Sequence, residues 1–333
     1  MKTACIIQGN IRNGFELVLK EIQKHFDVVI VSTWEDEVAK IPDGDFIKIF
    51  NQKPKVAGYS HRNYQRYSTA RGLEKAKELG CEYVMKWRTD MLPTKLDVHQ
   101  LINWANYNVP NGVSSRIVTC AFRNLTVYED WFSSMPDLFA FGHIDMMEML
   151  WGDDGFDYTK MMNPPQQMLI DEGTDWIDKN NMSSVWNLDY QQIYTEADEL
   201  QKELVYNEYL SAIWCAESEF YSIFKDKLQK ELKVLLNHEV IVKNFTMLIN
   251  HQELKIAWFG NNFKMRSIYN GVHIPWWTHK QWLKSRGKII HKGYMSNNFI
   301  EKNLNTLQVL IEVVRQNIYF ARYIFKNLKP HKE

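Results

Sequence analysis

The sequence predicts an α/β fold: a mostly parallel central sheet covered by helices, followed by a helical C-terminal extension. Three observations predict it. Short apolar runs alternate with helical patterns through the first third of the chain. Polar and charged residues gather where those runs end. A long amphipathic segment lies close to the C-terminus.

The elements follow in order. Ala4–Gln8 is an apolar run that ends at Gly9. Phe15, Leu17, Val18, Leu19, Ile22 and Phe26 then repeat at helical spacing. Val28–Ser32 is a β-branched run of the kind that fills a buried parallel strand. Phe46–Phe50 is a third strand candidate, and Thr69–Leu79 reads as a helix stopped by Gly80. Tyr83–Trp87 is a strand, broken by Asp90 and Pro93. Later strand candidates are Ser115–Phe122 and Val240–Ile249. Asp145–Trp151 and Asp198–Phe224 read as helices, and Asp153–Asp189 as a polar excursion. Leu304–Leu328 repeats Leu307, Leu310, Ile311, Val314, Ile318, Ala321 and Ile324 as an amphipathic helix. Ligands of such sheets sit at the carboxyl ends of the strands. Gly9–Arg12, Thr33–Glu35 and Arg88–Asp90 all fall there.

Composition is that of a globular protein, with 45% apolar and 24% charged residues in 333. The zero net charge hides a segregation. Asn124–Glu219 carries 20 acids against three lysines, and Tyr221–Glu333 carries 19 cations against seven acids. An acidic middle suits a metal or polyols, and a basic end suits phosphates or an anionic membrane. Four Cys without a CxxC pair read as reduced core residues, which implies the cytoplasm. Neither a signal peptide nor a membrane span is expected. The absence of a Gly-x-Ser-x-Gly elbow and of a P-loop disfavours triad hydrolysis and kinase chemistry. His238, His279 and His291 read as ordinary core or surface residues.

The most informative segment is KWRTDM, Lys86–Met91. Lys86, Arg88 and Asp90 alternate along an extended chain and therefore project to one side. Two cations and a carboxylate at a strand end suit a diphosphate, with or without a divalent cation. Charges that are merely solvated are an equally good reading of the segment alone. Gly9 and Arg12 place a close-approach backbone and a cation at the first strand end. Asn63, Gln65 and Arg66 open a polar stretch before a helix, either to touch a nucleotide or to cap the helix. Asp137 follows Pro136, as a sugar or proton contact or as a turn initiator. Glu217 and Glu219 stand on a predicted helix, where a carboxylate can serve as a base or be solvated.

Seven segments in shared order resemble the WavE lipopolysaccharide-synthesis family of bacterial glycosyltransferases. They are IIQGNIR (Ile6–Arg12), VSTWED (Val31–Asp36), NQKP (Asn51–Pro54), NYQRYSTARGLEKA (Asn63–Ala76), VMKWRTDM (Val84–Met91), PDLFAFG (Pro136–Gly142) and AESEF (Ala216–Phe220). The resemblance implies a GT-A-like nucleotide-binding core in which Arg88-Thr89-Asp90 stands where related enzymes have Asp-x-Asp. It implies a nucleotide-sugar donor held by Gly9, Arg12, Asn63, Arg66, Lys86 and Arg88. Asp90 would hold Mg²⁺ or Mn²⁺, although one carboxylate holds a cation less well than two. Glu217 is the first candidate base and Asp137 the second. The acceptor would be a lipid-linked or oligosaccharide glycan of lipopolysaccharide, lipooligosaccharide or capsule. Residues 1–250 would form the catalytic domain, with a donor half over 1–123 and an acidic acceptor half over 124–250. Residues 251–333 would form the basic extension. The alternative is a non-catalytic carbohydrate-binding module, favoured by Arg88 in place of a first carboxylate.

The extension has its own expectation. Trp276, Trp277 and Trp282 stand among Lys280, Lys284, Arg286 and Lys288, and a basic helix with Arg315, Arg322, Lys326 and Lys329 follows. Aromatic residues beside cations grip an anionic bilayer surface, which implies a peripheral protein on the inner membrane; the helix taken alone reads better as a packed C-terminal helix with a solvated basic face. Nucleic acid is not an expected partner, because the acidic middle would repel it.

Overall fold

A computed structural model of the chain describes residues 1–58, 61–119, 137–159, 216–236, 238–249, 253–259 and 299–327. Among these, a seven-stranded sheet has the order β3-β2-β1-β4-β7-β6-β8. The strands are β1 (Thr3–Gln8), β2 (Val28–Trp34), β3 (Ile47–Asn51), β4 (Tyr83–Arg88), β6 (Ile117–Thr119), β7 (Ala140–His143) and β8 (Thr246–Leu248). β1 pairs in parallel with β2 and β4, β2 with β3, and β6 with β8. β7 runs antiparallel to β4 and β6. The fold is therefore α/β with a mostly parallel central sheet.

The helices follow from the sequence pattern. α1 (Phe15–Ile22) buries Phe15, Val18, Leu19 and Ile22 on one stripe. α2 (Arg62–Glu78) connects β3 to β4, while α1 connects β1 to β2. The two connections run in opposite directions along the sheet, so right-handed crossovers place them on opposite faces. α2 reaches β1 at Gly72, where a Cβ would come within 2.4 Å of the Ile6 side chain. α3 (Val98–Ala105) starts at Asp97, whose side chain accepts from the Gln100 amide at 3.0 Å. α4 (Ile144–Trp151) packs beside α2, and α5 (Ala216–Leu232) packs on α4. α6 (His238–Asn244) leads into β8.

A second, two-stranded sheet pairs β5 (Met91–Pro93) with β9 (Ile256–Trp258) in antiparallel register. α7 (Phe299–Asn327) packs on β9, and Gln316 accepts from the Trp258 amide at 3.0 Å. Lys24 at the end of α1 bonds Asn327 at 3.4 Å. Parts of the basic extension thus rest on the first half of the chain.

Four expectations are corrected. α2 begins at Arg62 rather than Thr69, so Asn63 and Arg66 lie inside the helix and not ahead of it. Val240–Ile249 is a helix and a short strand, because Ile241 and Val242 are buried as α6 packs on β8. Ala140–His143, where no strand is expected, is β7. α3 stands where no element was expected. The excursion beyond Thr159, the helix expected before Ala216 and the segment Pro275–Lys288 with its three Trp lie outside the described residues. So do His279, His291 and Lys329, and the side chains of His238 and Glu217.

The Gly72 contact gives a test. In most helices Gly→Ala stabilises by about 1 kcal/mol. Here Gly72→Ala should instead lower stability by about 1–3 kcal/mol, because Ile6 is fully buried and has little room to move. Thermal denaturation of the variant measures it, and a raised melting temperature would contradict the close approach.

Candidate active site

The carboxyl ends of β1, β2 and β4 meet in one cavity of about 290 Å³. Its floor is the turn after β1. Gly9 has φ +95°, a left-handed conformation that favours glycine, and an added Cβ would meet nothing within 4 Å. The Thr33 hydroxyl donates to the Gly9 carbonyl at 2.8 Å and the Thr89 hydroxyl to the Asn10 carbonyl at 2.6 Å. The turn is thereby fastened to β2 and to the segment after β4. One wall is aromatic. Trp34 and Tyr64 have ring centroids 5.2 Å apart, and His61 stacks on Tyr64 at 6.0 Å.

The charged wall is built around Arg88. Its Nε and Nη2 donate to the two oxygens of Asp90 at 3.0 and 3.2 Å. Its Nη1 donates to Asp137 Oδ2 at 2.8 Å. Arg12 Nη1 donates to Asp90 Oδ2 at 3.2 Å. Lys86 lies beneath, fully buried; its ammonium donates to the Asp137 carbonyl and sits 4.7 Å from the centroid of the Trp151 ring. Trp258 of β9 covers Arg88 from outside, with its ring centroid 5.4 Å from the guanidinium carbon. The Phe259 amide donates to the Asp90 carbonyl at 2.8 Å, which fixes that residue from the main chain as well.

The electrostatics follow from burial. Asp90 is 1% exposed, and burial alone would raise its pKa. Arg88, then Arg12 and Trp258, outweigh burial and hold the carboxyl below its ordinary range. Burial likewise works against the charge of Arg88, but Asp137 and Asp90 overcome it and push its pKa up. Arg88 and Asp90 are therefore both charged at neutral pH.

Gly9, Arg12, Arg88, Asp90 and Asp137 share one cavity, and Lys86 supports it from below. Asn63 and Arg66 are placed elsewhere. Asn63 donates to the carbonyls of Val56 and Tyr158 at 2.8 and 3.1 Å. Arg66 donates to the Gly152 carbonyl at 2.8 and 3.1 Å and lies 4.7 Å from the Phe156 ring centroid. Burial lowers the pKa of Arg66 to about 10. Both fasten the segment after α4 onto α2, which is why this polar stretch is helical and buried. Of the two glutamates in AESEF, Glu219 is buried and pairs with Arg62 at 2.7 Å. Glu217 is on the same helix, with its side chain outside the described residues.

Trp34, His61, Tyr64 and Trp258 were not singled out from sequence. Trp34 and Tyr64 fall inside segments that resemble the family, which was the available signal. Trp258 carried none, since β9 reaches the site only through its pairing with β5.

The carboxylates do not fit a divalent cation as arranged. The Arg88 guanidinium lies between Asp90 and Asp137, where a shared cation would have to sit, and occupies both oxygens of Asp90. Among the described residues no group of three or more His, Cys, Asp or Glu side chains could hold a metal.

The chain is thus an α/β protein with a cavity at its strand ends, one wall of it charged and one aromatic. The sequence profile described as WavE lipopolysaccharide synthesis matches residues 4–286, and the chain belongs to that family. Its role lies in lipopolysaccharide synthesis. No curated protein matches it. Among solved structures it is similar to one described as the mannose-1-phosphate geranyltransferase of Thermus thermophilus. That likeness has a TM-score of 0.30 and 11% identity over 48% of this chain and 67% of the other.

The buried cluster makes stability pH-dependent. Asp90 has a lowered folded-state pKa, so its contribution is present above the unfolded value of about 4 and is lost as pH falls through the folded value. Asp90→Asn should cost about 3–5 kcal/mol at pH 7, because it leaves a buried arginine underpaired. The gap to the parent should narrow steadily below about pH 4. Urea unfolding of both proteins from pH 7 to pH 3 measures this, and a constant gap would refute the assignment.

Proposed function

We propose that the chain is a glycosyltransferase that moves a sugar from a nucleotide donor onto a surface glycan acceptor of lipopolysaccharide, lipooligosaccharide or capsule. The observation that carries the reading is the guanidinium pair, Arg12 and Arg88, held at the strand ends by one buried carboxylate. A nucleoside diphosphate is a leaving group whose negative charge grows as the glycosidic bond breaks. Preorganised cations at that position stabilise the transition state more than the ground state. Arg88 spends three of its five N–H groups on Asp90 and Asp137 and keeps two for phosphate oxygens.

In this reading the nucleotide base lies toward Trp34 and Tyr64, and the diphosphate lies against Arg12 and Arg88. Asp90 acts as the anchor that fixes both guanidinium groups. Mg²⁺ or Mn²⁺, when present, would add charge neutralisation through the donor's own phosphates. A carboxylate on the acceptor side takes the proton of the attacking hydroxyl as the new bond to the anomeric carbon forms. Asp137 lines the cavity and Glu217 lies on the helix that packs on α4, so both are kept as candidates. The acceptor is lipid-linked and is met at the cytoplasmic membrane surface.

The test is a panel of nucleotide-sugar donors assayed by release of nucleoside diphosphate. Arg12→Ala should lower kcat/KM about 10–100-fold, the value of a charged hydrogen bond, without unfolding the protein. Activity should survive a chelator. Of Asp137→Asn and Glu217→Gln, the variant that removes the base should lose about 10²–10⁴ in kcat with donor affinity little changed. No release from any donor would leave the non-catalytic module as the better description.

A further inference from the structure

The last described helix has two faces that do opposite things. One face of α7 is buried: Gln316 and Tyr323 point to β9 and α1, and Lys24 lies 5.6 Å from the Tyr323 ring centroid. The other face carries Ile311, Val314, Ile318 and Phe325, all exposed, with Phe325 at 72%. Their spacing of three, four and seven residues makes one continuous stripe on the helix. A helix that is apolar on the side opposite its packing face has a second surface to cover.

Cations border that stripe on one side. Arg315, Arg322 and Lys326 follow it, and among the described residues no carboxylate pairs with Arg322 or Lys326. Beneath the same edge, α7, the end of α1, and Thr94 and Lys255 beside the second sheet enclose a cavity of about 250 Å³. Lys24, His25, Lys255, Arg322 and Lys326 line it against one carboxylate, Glu21. Glu21 is already engaged by Lys24 at 2.6 Å and by His25 at 3.2 Å. The cavity therefore carries an excess of positive charge next to an exposed apolar stripe.

We propose that this stripe and cavity form an interfacial docking surface for an anionic bilayer, with the cavity taking a lipid phosphate headgroup. The stripe sinks into the acyl boundary while the neighbouring cations meet headgroup phosphates. Charge complementarity selects this occupant over a second copy of the chain. Flanking positions 315, 317, 322 and 324 hold Arg, Asn, Arg and Ile. A two-helix seam would find no opposite charge there, and an antiparallel one would face arginine with arginine. No described helix is long and apolar enough to cross a membrane, so the contact is with the surface. The inference deepens the membrane-surface part of the proposed function, and vesicle binding, which tests it, is read separately from turnover.

The experiment is sedimentation of the full chain with vesicles of phosphatidylglycerol and phosphatidylcholine, against vesicles of phosphatidylcholine alone. Binding should be confined to the anionic vesicles and fall as salt is raised. Arg322→Glu with Lys326→Glu should weaken it at least about tenfold, given what each cation contributes near such a surface. Phe325→Ser should weaken it on the same vesicles. Both variants alter exposed residues, so their melting temperatures and their release of nucleoside diphosphate in vesicle-free solution should match the parent. Inorganic phosphate at constant ionic strength should leave vesicle binding in place; complete displacement would assign the cavity to a free anion and overturn the proposal. Equal binding to phosphatidylcholine vesicles would overturn it. So would unchanged binding by the charge-reversed variant, or a dimer in light scattering that Ile318→Lys dissociates.

Discussion

A guanidinium buried between two carboxylates is cheaper to hold than any of the three charges buried alone, and the top of this sheet is organised around such a group. Arg88 ends β4, Asp90 closes the two-residue turn into β5, and Asp137 comes from the approach to β7. Each would carry a large desolvation penalty by itself. Together they fix the turn after β4 against the strand that neighbours it in the sheet. Arg12 joins from the loop after β1, so these strand ends are tied by one set of charged hydrogen bonds.

Other parts of the chain serve that cluster. Trp258 brings the second sheet over Arg88, and the Phe259 amide holds the Asp90 carbonyl. Gly14 sits where Phe259 leaves no room for a Cβ, at 2.4 Å, so the loop that carries Arg12 is shaped by the residue that follows β9. On the opposite face, Glu219 pairs with Arg62 at the start of α2. That helix presents Tyr64 and Gln65 to the cavity, so the AESEF segment reaches the site through α2. Charge that looks dispersed along the chain is thus used in two buried clusters, one lining the cavity at the strand ends and one facing the core.

Much of this was legible in the sequence. The strand–helix alternation and the polar residues at strand ends located the cavity, because a parallel sheet leaves its ligand edge at the carboxyl ends. Arg88 and Asp90 were found by their place after an apolar strand. The pairing of Arg88 with Asp137 was not legible, since it joins residues 49 apart across an antiparallel partner strand. The same applies to Trp258, brought in by β9. Asn63 and Arg66 misled, because buried arginines on a helix and nucleotide-binding arginines have the same composition. Contacts of long sequence separation, such as Phe156 and the Gly152 carbonyl for Arg66 and the Tyr158 carbonyl for Asn63, tell them apart.

The central claim is that Arg12 and Arg88, anchored by Asp90, hold the phosphates of a nucleoside diphosphate. A crystal structure of the chain grown with a nucleoside diphosphate and a chelator tests it most directly. The account predicts phosphate oxygens within hydrogen-bond reach of both guanidinium groups, with the bonds from Arg88 to Asp90 and Asp137 retained. A nucleotide bound away from the ends of β1 and β4, or one bound only when a divalent cation displaces Arg88 from Asp90, would contradict it.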